Sequence, residues 1–181
     1  RFFRYLLALL DEDSTQMELL DAVELARDLI RCPSVTPAEG GALAYLQKVL
    51  EGLGFVCHRM VFSDEATPDV DNLYARFGTA APNFCFAGHT DVVPTGPLDG
   101  WTVDPFAAEI KDGYLYGRGA VDMKSAIAAF ASAAASVIEE GVVLYRGESA
   151  AETRRSGRLP EAIRSVNAAV FFACSDAMNA S

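Results

Sequence analysis

Three short β-rich runs, FVCHRMVF (55–62), NLYARFG (72–78) and NFCFAG (83–88), follow two helix-periodic stretches and precede an alanine-rich third. Pro, Asp and Asn separate the runs, so they read as separate strands. Strands bury an apolar face only against another layer, and helices before and after them in the chain therefore predict an α/β layered domain. Thr15 and Glu18 form a T-x-x-E capping pattern. Leu19, Leu20, Val23, Ala26, Leu29 and Ile30 then recur at helical spacing, predicting a helix over 16–31. CPSVTP interrupts it. Thr36, Pro37 and Glu39 repeat the cap with proline at the first helical position, and Leu43, Leu46, Val49, Leu50 and Leu53 run to Gly54 as a C-cap. Past the strands, Asp112-Gly113 between two apolar runs marks a tight hairpin turn. Residues 124–140 form a helix with Ile127, Phe130, Ala134, Val137 and Ile138 on one face, its many alanines suited to close packing on a sheet.

A chain of 181 residues that is 51% hydrophobic can bury one sizeable core and is not disordered. Its net charge of −10 argues against nucleic acid and anionic membranes, which need basic patches. No apolar stretch reads as long enough to span a bilayer, about 18 residues. Basic-then-apolar RFFRYLLALL runs directly into acidic DED, so it reads as no targeting signal. Cys32, Cys57, Cys85 and Cys174 lack C-x-x-C spacing, and a reducing cytoplasm is the expected location. The chain opens on Arg1, with Met17 as an expected start, so residues 1–16 read as an extension outside the domain. Beyond Gly141 the composition turns polar and arginine-rich, and residues 142–181 read as an atypical tail. Only VVLY and AAVFFAC look like strand material there.

The chemistry gathers at FAGHTDVVPTG (86–96), where an apolar run stops at Gly88 and His89 and Asp91 follow at once. His89 then emerges at the C-terminal end of a strand, the rim on which α/β proteins place ligands. With alternating side chains, Asp91 points the same way as His89. A carboxylate beside an imidazole accepts one ring N–H, fixes the tautomer and makes the other nitrogen a better metal donor. Asp122, in GRGAVDMK at the start of the alanine-rich helix, offers a second cation ligand. Each also has a plainer reading, His89 and Asp91 as an ordinary surface or core pair and Asp122 as a helix N-cap. His58 reads as an ordinary sheet residue, Trp101 as packing, and Glu139-Glu140 as a solvated helix end.

The block from Phe86 to Phe130, with GHTDVVP, W…PF, DGYLYGRG and DMK in order, resembles the aminoacylase and carboxypeptidase group of dinuclear zinc amidohydrolases. The resemblance extends over residues 17–141. It implies a layered α/β/α zinc-peptidase-like catalytic domain with a central mixed sheet, here incomplete and without the dimerisation domain. It also implies two zinc ions, with cobalt as a substitute, and a small-molecule substrate bearing a linear amide; the complete family member is a homodimer. Carried onto this chain, it makes His89 a ligand of one zinc, Asp122 the bridge between both, and Asp91 the catalytic-site carboxylate that orients His89.

The same resemblance places a general-base glutamate and a further ligand as adjacent glutamates at the end of the next strand. That segment has no match here: Glu148, Glu152 and Glu161 are isolated, and the remaining ligands would lie past Ser181. A catalytic zinc takes about three protein ligands, so the chain as given is expected to be inactive alone. The competing readings are a deacetylase or carboxypeptidase of the same group, and a non-catalytic scaffold that binds a partner through an exposed sheet edge.

Overall fold

The computed structural model describes residues 20–63, 65–66, 68–79 and 84–139, together with the backbone of 168–173. Thr15, Glu18, Glu140, Glu148, Glu152, Glu161 and Cys174 lie outside the described residues.

Helix α1 spans Ala22–Arg31 and α2 spans Ala42–Gly52. The first starts later than the T-x-x-E pattern predicts. Asp21, in extended backbone, accepts from the Val23 and Glu24 N–H groups at 2.7 and 3.3 Å and so satisfies two of the helix's unpaired donors. Leu20 lies before the helix and its carbonyl accepts from Ser132 Oγ at 2.6 Å. The second helix also departs from its expected cap. Glu39 reaches the Leu43 N–H at 3.0 Å, but Gly41, with φ of 89°, is the capping residue. Thr36 is drawn away instead, its N–H donating to the Val92 carbonyl at 3.1 Å. Gly54 takes the left-handed conformation just past α2, with φ of 92°.

Strands β1 (Val56–Phe62), β2 (Val70–Phe77) and β3 (Phe84–His89) fall on the three β-rich runs. β1 and β2 are antiparallel, with Val56 opposite Arg76 and Phe62 opposite Val70. Arg59 and Asp71 form an ion pair across them. A short hairpin follows, β4 (Glu109–Lys111) and β5 (Tyr114–Tyr116). Its two turn residues, Asp112 and Gly113, have φ of 53° and 79°, the positive pair that a two-residue hairpin turn requires. Helix α3 is Ser125–Glu139. The tail then returns β6, Ala168–Ala173, within the strand-like AAVFFAC. β6 lies between β2 and β3 in a mixed sheet of order β1-β2-β6-β3, antiparallel to β2 and parallel to β3. Ala173 stands opposite His89 in that register.

One core joins these layers. α1 packs on α3, and α2 on β1 and β2. Leu29, Leu43, Leu46, Leu50, Leu73, Ile127, Ala128 and Ala131 are fully buried. On α3 the buried line is Ile127, Ala128, Ala131 and Ala135, with Phe130, Ala134 and Ile138 at the margin. The face is turned towards the alanines because their small side chains let the helix approach its neighbours closely. Phe130 stacks on Phe86 of β3, ring centres 4.5 Å apart. The 20 residues Ala120–Glu139 are long and apolar enough by composition to cross a membrane, contrary to the sequence expectation. Of its alanines Ala120, Ala128, Ala131 and Ala135 are buried, while Ala126, Ala129 and Ala133 are exposed.

Candidate metal centre

His89 is the last residue of β3, and the chain turns off the sheet directly after it. Two loops receive it. In the first, Asp91 is buried at 4% exposure, its carbonyl oxygen 3.1 Å and its Oδ1 3.5 Å from His89 Nδ1. The expected pairing of these residues is therefore present, with Asp91's own backbone oxygen as the nearer partner. In the second, Ala120–Lys124 forms a wide turn ahead of α3 in which Asp122 (φ −131°, ψ 100°) and Met123 are not helical. Asp122 is thereby turned out of the helix path, and its Oδ1 lies 2.9 Å from His89 Nε2. It is an exposed carboxylate facing the histidine rather than a cap on the first residues of α3.

The arrangement has a consequence for the imidazole. A neutral ring carries one N–H. Nδ1 faces two oxygens of buried Asp91 and Nε2 faces a carboxylate oxygen of Asp122, so both ring nitrogens stand against acceptors. The 2.9 Å separation is that of an N–H···O hydrogen bond, and the same nitrogen and oxygen can hold a cation in place of the proton. The donor set, one imidazole nitrogen and one carboxylate oxygen, fits a divalent transition metal, zinc among them. Among the described residues no group of three or more His, Cys, Asp and Glu is placed to hold one metal ion, so His89 and Asp122 supply two donors.

Several residues that build the site escaped the sequence reading. Residues 34–36 of the CPSVTP loop run parallel to 90–92: Val92 N–H donates to the Ser34 carbonyl at 2.8 Å, and Ser34 Oγ to the Thr90 carbonyl at 2.6 Å. Thr36 Oγ1 donates to Asp91 Oδ2 at 2.5 Å. Lys124, fully buried, donates from Nζ to the Cys32 carbonyl at 2.8 Å and so fastens the Asp122 turn to the same loop. Burial pushes its pKa down to about 8, against smaller opposing effects of Cys32 and Asp91. Gly119, with φ of 85°, opens that turn, and a Cβ there would lie 2.6 Å from Val92 Cγ1. Only the buried lysine in DMK could have signalled this from the sequence, and a lysine is ordinarily read as solvated.

The other singled-out residues behave as ordinary structure. Trp101 donates from its indole to the Thr95 carbonyl at 3.0 Å, and the Arg118 guanidinium lies over its ring. His58 stacks on Tyr74 across β1 and β2. Cys32, Cys57 and Cys85 are free; burial pushes the Cys32 thiol up and that of Cys57 to about 11, so both remain protonated packing groups.

Fold and local sequence point the same way: residues 85–148 match peptidase family M20/M25/M40. The fold is shared with an M20 family metallo-carboxypeptidase from Sulfolobus solfataricus, at a TM-score of 0.63 and 20% identity over 84% of this chain and 30% of that one. Human carnosine dipeptidase 1 shares it too, at a TM-score of 0.61 and 23% identity, over 94% of this chain and 33% of that one.

Over a longer stretch the chain resembles succinyl-diaminopimelate desuccinylase. It is 67% identical over 121 residues to the enzyme of that name from Parvibaculum lavamentivorans, and 66% identical over 119 residues to that from Rhodospirillum centenum. These alignments cover 67% and 66% of this chain but 31% of either relative, so the chain spans about a third of the length of the curated relatives it matches.

Proposed function

We propose that this chain carries one half of the zinc site of an amide hydrolase whose complete form removes the succinyl group from N-succinyl-LL-2,6-diaminopimelate. The observation that carries the metal reading is the 2.9 Å approach of His89 Nε2 to Asp122 Oδ1, with Nδ1 backed by Asp91. The substrate assignment is supported by the 60–67% identity to desuccinylases, which exceeds what fold alone would explain.

In this reading His89 and Asp122 hold the metal, and Asp91 holds the proton on Nδ1 so that Nε2 stays free to donate. Zinc, when bound, supplies Lewis acidity toward the scissile amide carbonyl. Exposed Asp122 has the free oxygen needed to serve a second ion as well. With two donors where a catalytic zinc takes about three, the chain alone takes up zinc weakly and does not turn substrate over.

The test is the zinc content of the purified full chain under zinc-replete conditions, beside His89→Ala and Asp122→Asn, with desuccinylase activity measured in parallel. Both variants are expected to lose whatever zinc the parent holds. Unchanged metal content in His89→Ala would sink the site assignment, and turnover by the unaltered chain would mean that residues 142–181 supply the missing ligands.

A further inference from the structure

The metal reading gives Thr36 no role and the sequence reads it only as a helix cap, yet its hydroxyl is bonded to the Asp91 carboxylate of the candidate centre. We infer that Thr36 is a positioning residue for the metal centre, acting on His89 through the Asp91 carboxylate; the inference rests on the reading of His89 as a ligand. Asp91 has two oxygens with different tasks. Oδ2 accepts from Thr36 Oγ1 at 2.5 Å, while Oδ1 stands 3.5 Å from His89 Nδ1. A carboxylate can rotate about its last bond, and a fixed donor on one oxygen sets where the other one points.

Thr36 is itself fixed by the backbone. Its N–H donates to the Val92 carbonyl, and the Val92 N–H returns to the Ser34 carbonyl. The backbone that bears the hydroxyl is thus held on the same short parallel pairing that carries Asp91. The far end of this loop is Cys32, whose carbonyl receives the Lys124 ammonium from the turn bearing Asp122. One stretch, residues 32–36, therefore ties the loop behind His89 to the loop that presents Asp122. A hydroxyl in this place acts on the imidazole's orientation and basicity at one remove from the ligand, and changes to such outer partners typically cost about 10- to 100-fold in metal affinity.

The test uses the full chain and two measurements. Zinc affinity is read by competition with a chromophoric chelator. The ring nitrogen shifts of the histidines are read by long-range proton–nitrogen spectra of the metal-free chain, which has only His58 and His89 to assign. Thr36→Val, which keeps the shape and removes the donor, is expected to weaken zinc binding by about tenfold or more and to move the His89 ring nitrogens while leaving those of His58. Thr36→Ser is expected to restore both. Val35→Ala, which disturbs the same loop without touching the hydroxyl, is expected to change neither.

Wild-type zinc affinity and wild-type His89 shifts in Thr36→Val would overturn the inference. So would equal losses in Thr36→Val and Val35→Ala, because the effect would then be loop stability. Should Thr36→Val fail to fold by circular dichroism, Thr36→Ala gives the same two readings. If the unaltered chain takes up no zinc, the metal reading fails, and the His89 shifts still decide whether Thr36 orients the ring.

Discussion

Lys124 gives the sharpest quantitative expectation. Its side chain is fully buried, with one hydrogen bond to the Cys32 carbonyl, and burial lowers its pKa from 10.5 to about 8. A tenfold change in a proton equilibrium is worth about 1.36 kcal/mol, so keeping this amine charged in the folded chain costs about 3 kcal/mol. The sign follows from proton counts. Between pH 8 and 10.5 the folded chain has released the proton and the unfolded chain still holds it, so the unfolded state binds more and stability rises with pH. Below about pH 8 both states are charged and the contribution is flat. Cys57 works in the opposite direction between pH 9 and about 11, because its raised pKa makes the folded chain the better proton binder. The comparison of wild type with Lys124→Met cancels that and every other shared group. Urea unfolding of the two metal-free chains from pH 7 to 10.5 should show wild type gaining on the variant by about 3 kcal/mol across the window. A stability difference that does not change with pH would refute the desolvation argument.

Two further outcomes test the local structure. Gly119→Ala forces a Cβ to within 2.6 Å of Val92 Cγ1 at a φ of 85°, and the sum of strain and overpacking should destabilise the chain by about 2 to 4 kcal/mol in urea unfolding. Asp21→Ala removes the acceptor of two N–H groups at the start of α1 and should cost about 1 kcal/mol by the same assay, with Asp21→Asn near neutral.

What the sequence made legible was what local pattern controls. The three β-rich runs became β1 to β3 within a residue or two, and Asp112-Gly113 became its hairpin turn because that dipeptide tolerates two positive φ values. His89, Asp91 and Asp122 were singled out from a short motif and a family likeness, and His89 lies 3.5 Å from Asp91 Oδ1 and 2.9 Å from Asp122 Oδ1. The helix starts were misplaced where a tertiary partner outbid a local cap: Thr36 had the sequence context of an N-cap, but Asp91 and Val92 took its hydroxyl and its N–H. The supports of the site were invisible for the same reason. Ser34, Thr36 and Lys124 act through residues 55 to 92 positions away in the chain, and no periodicity encodes such contacts.

The position of β6 bears on how the chain is made as well as on how it stands. Among the described residues β3, the strand that presents His89, has β6 as its ladder partner, and β6 also joins it to β1 and β2. A nascent chain therefore completes the β1-β2 hairpin early, while β3 must wait for residues 168–173 to leave the ribosome before it gains a hydrogen-bonded neighbour. Closing a parallel pair across so long a connection is slow, since the loop entropy is spent before the contacts form. Until then an unpaired strand edge stays open to other chains, and the histidine at its end rests on the loops around it alone. The order of synthesis thus runs opposite to the order of dependence: the ligand is translated first, and the strand that holds it in register comes much later.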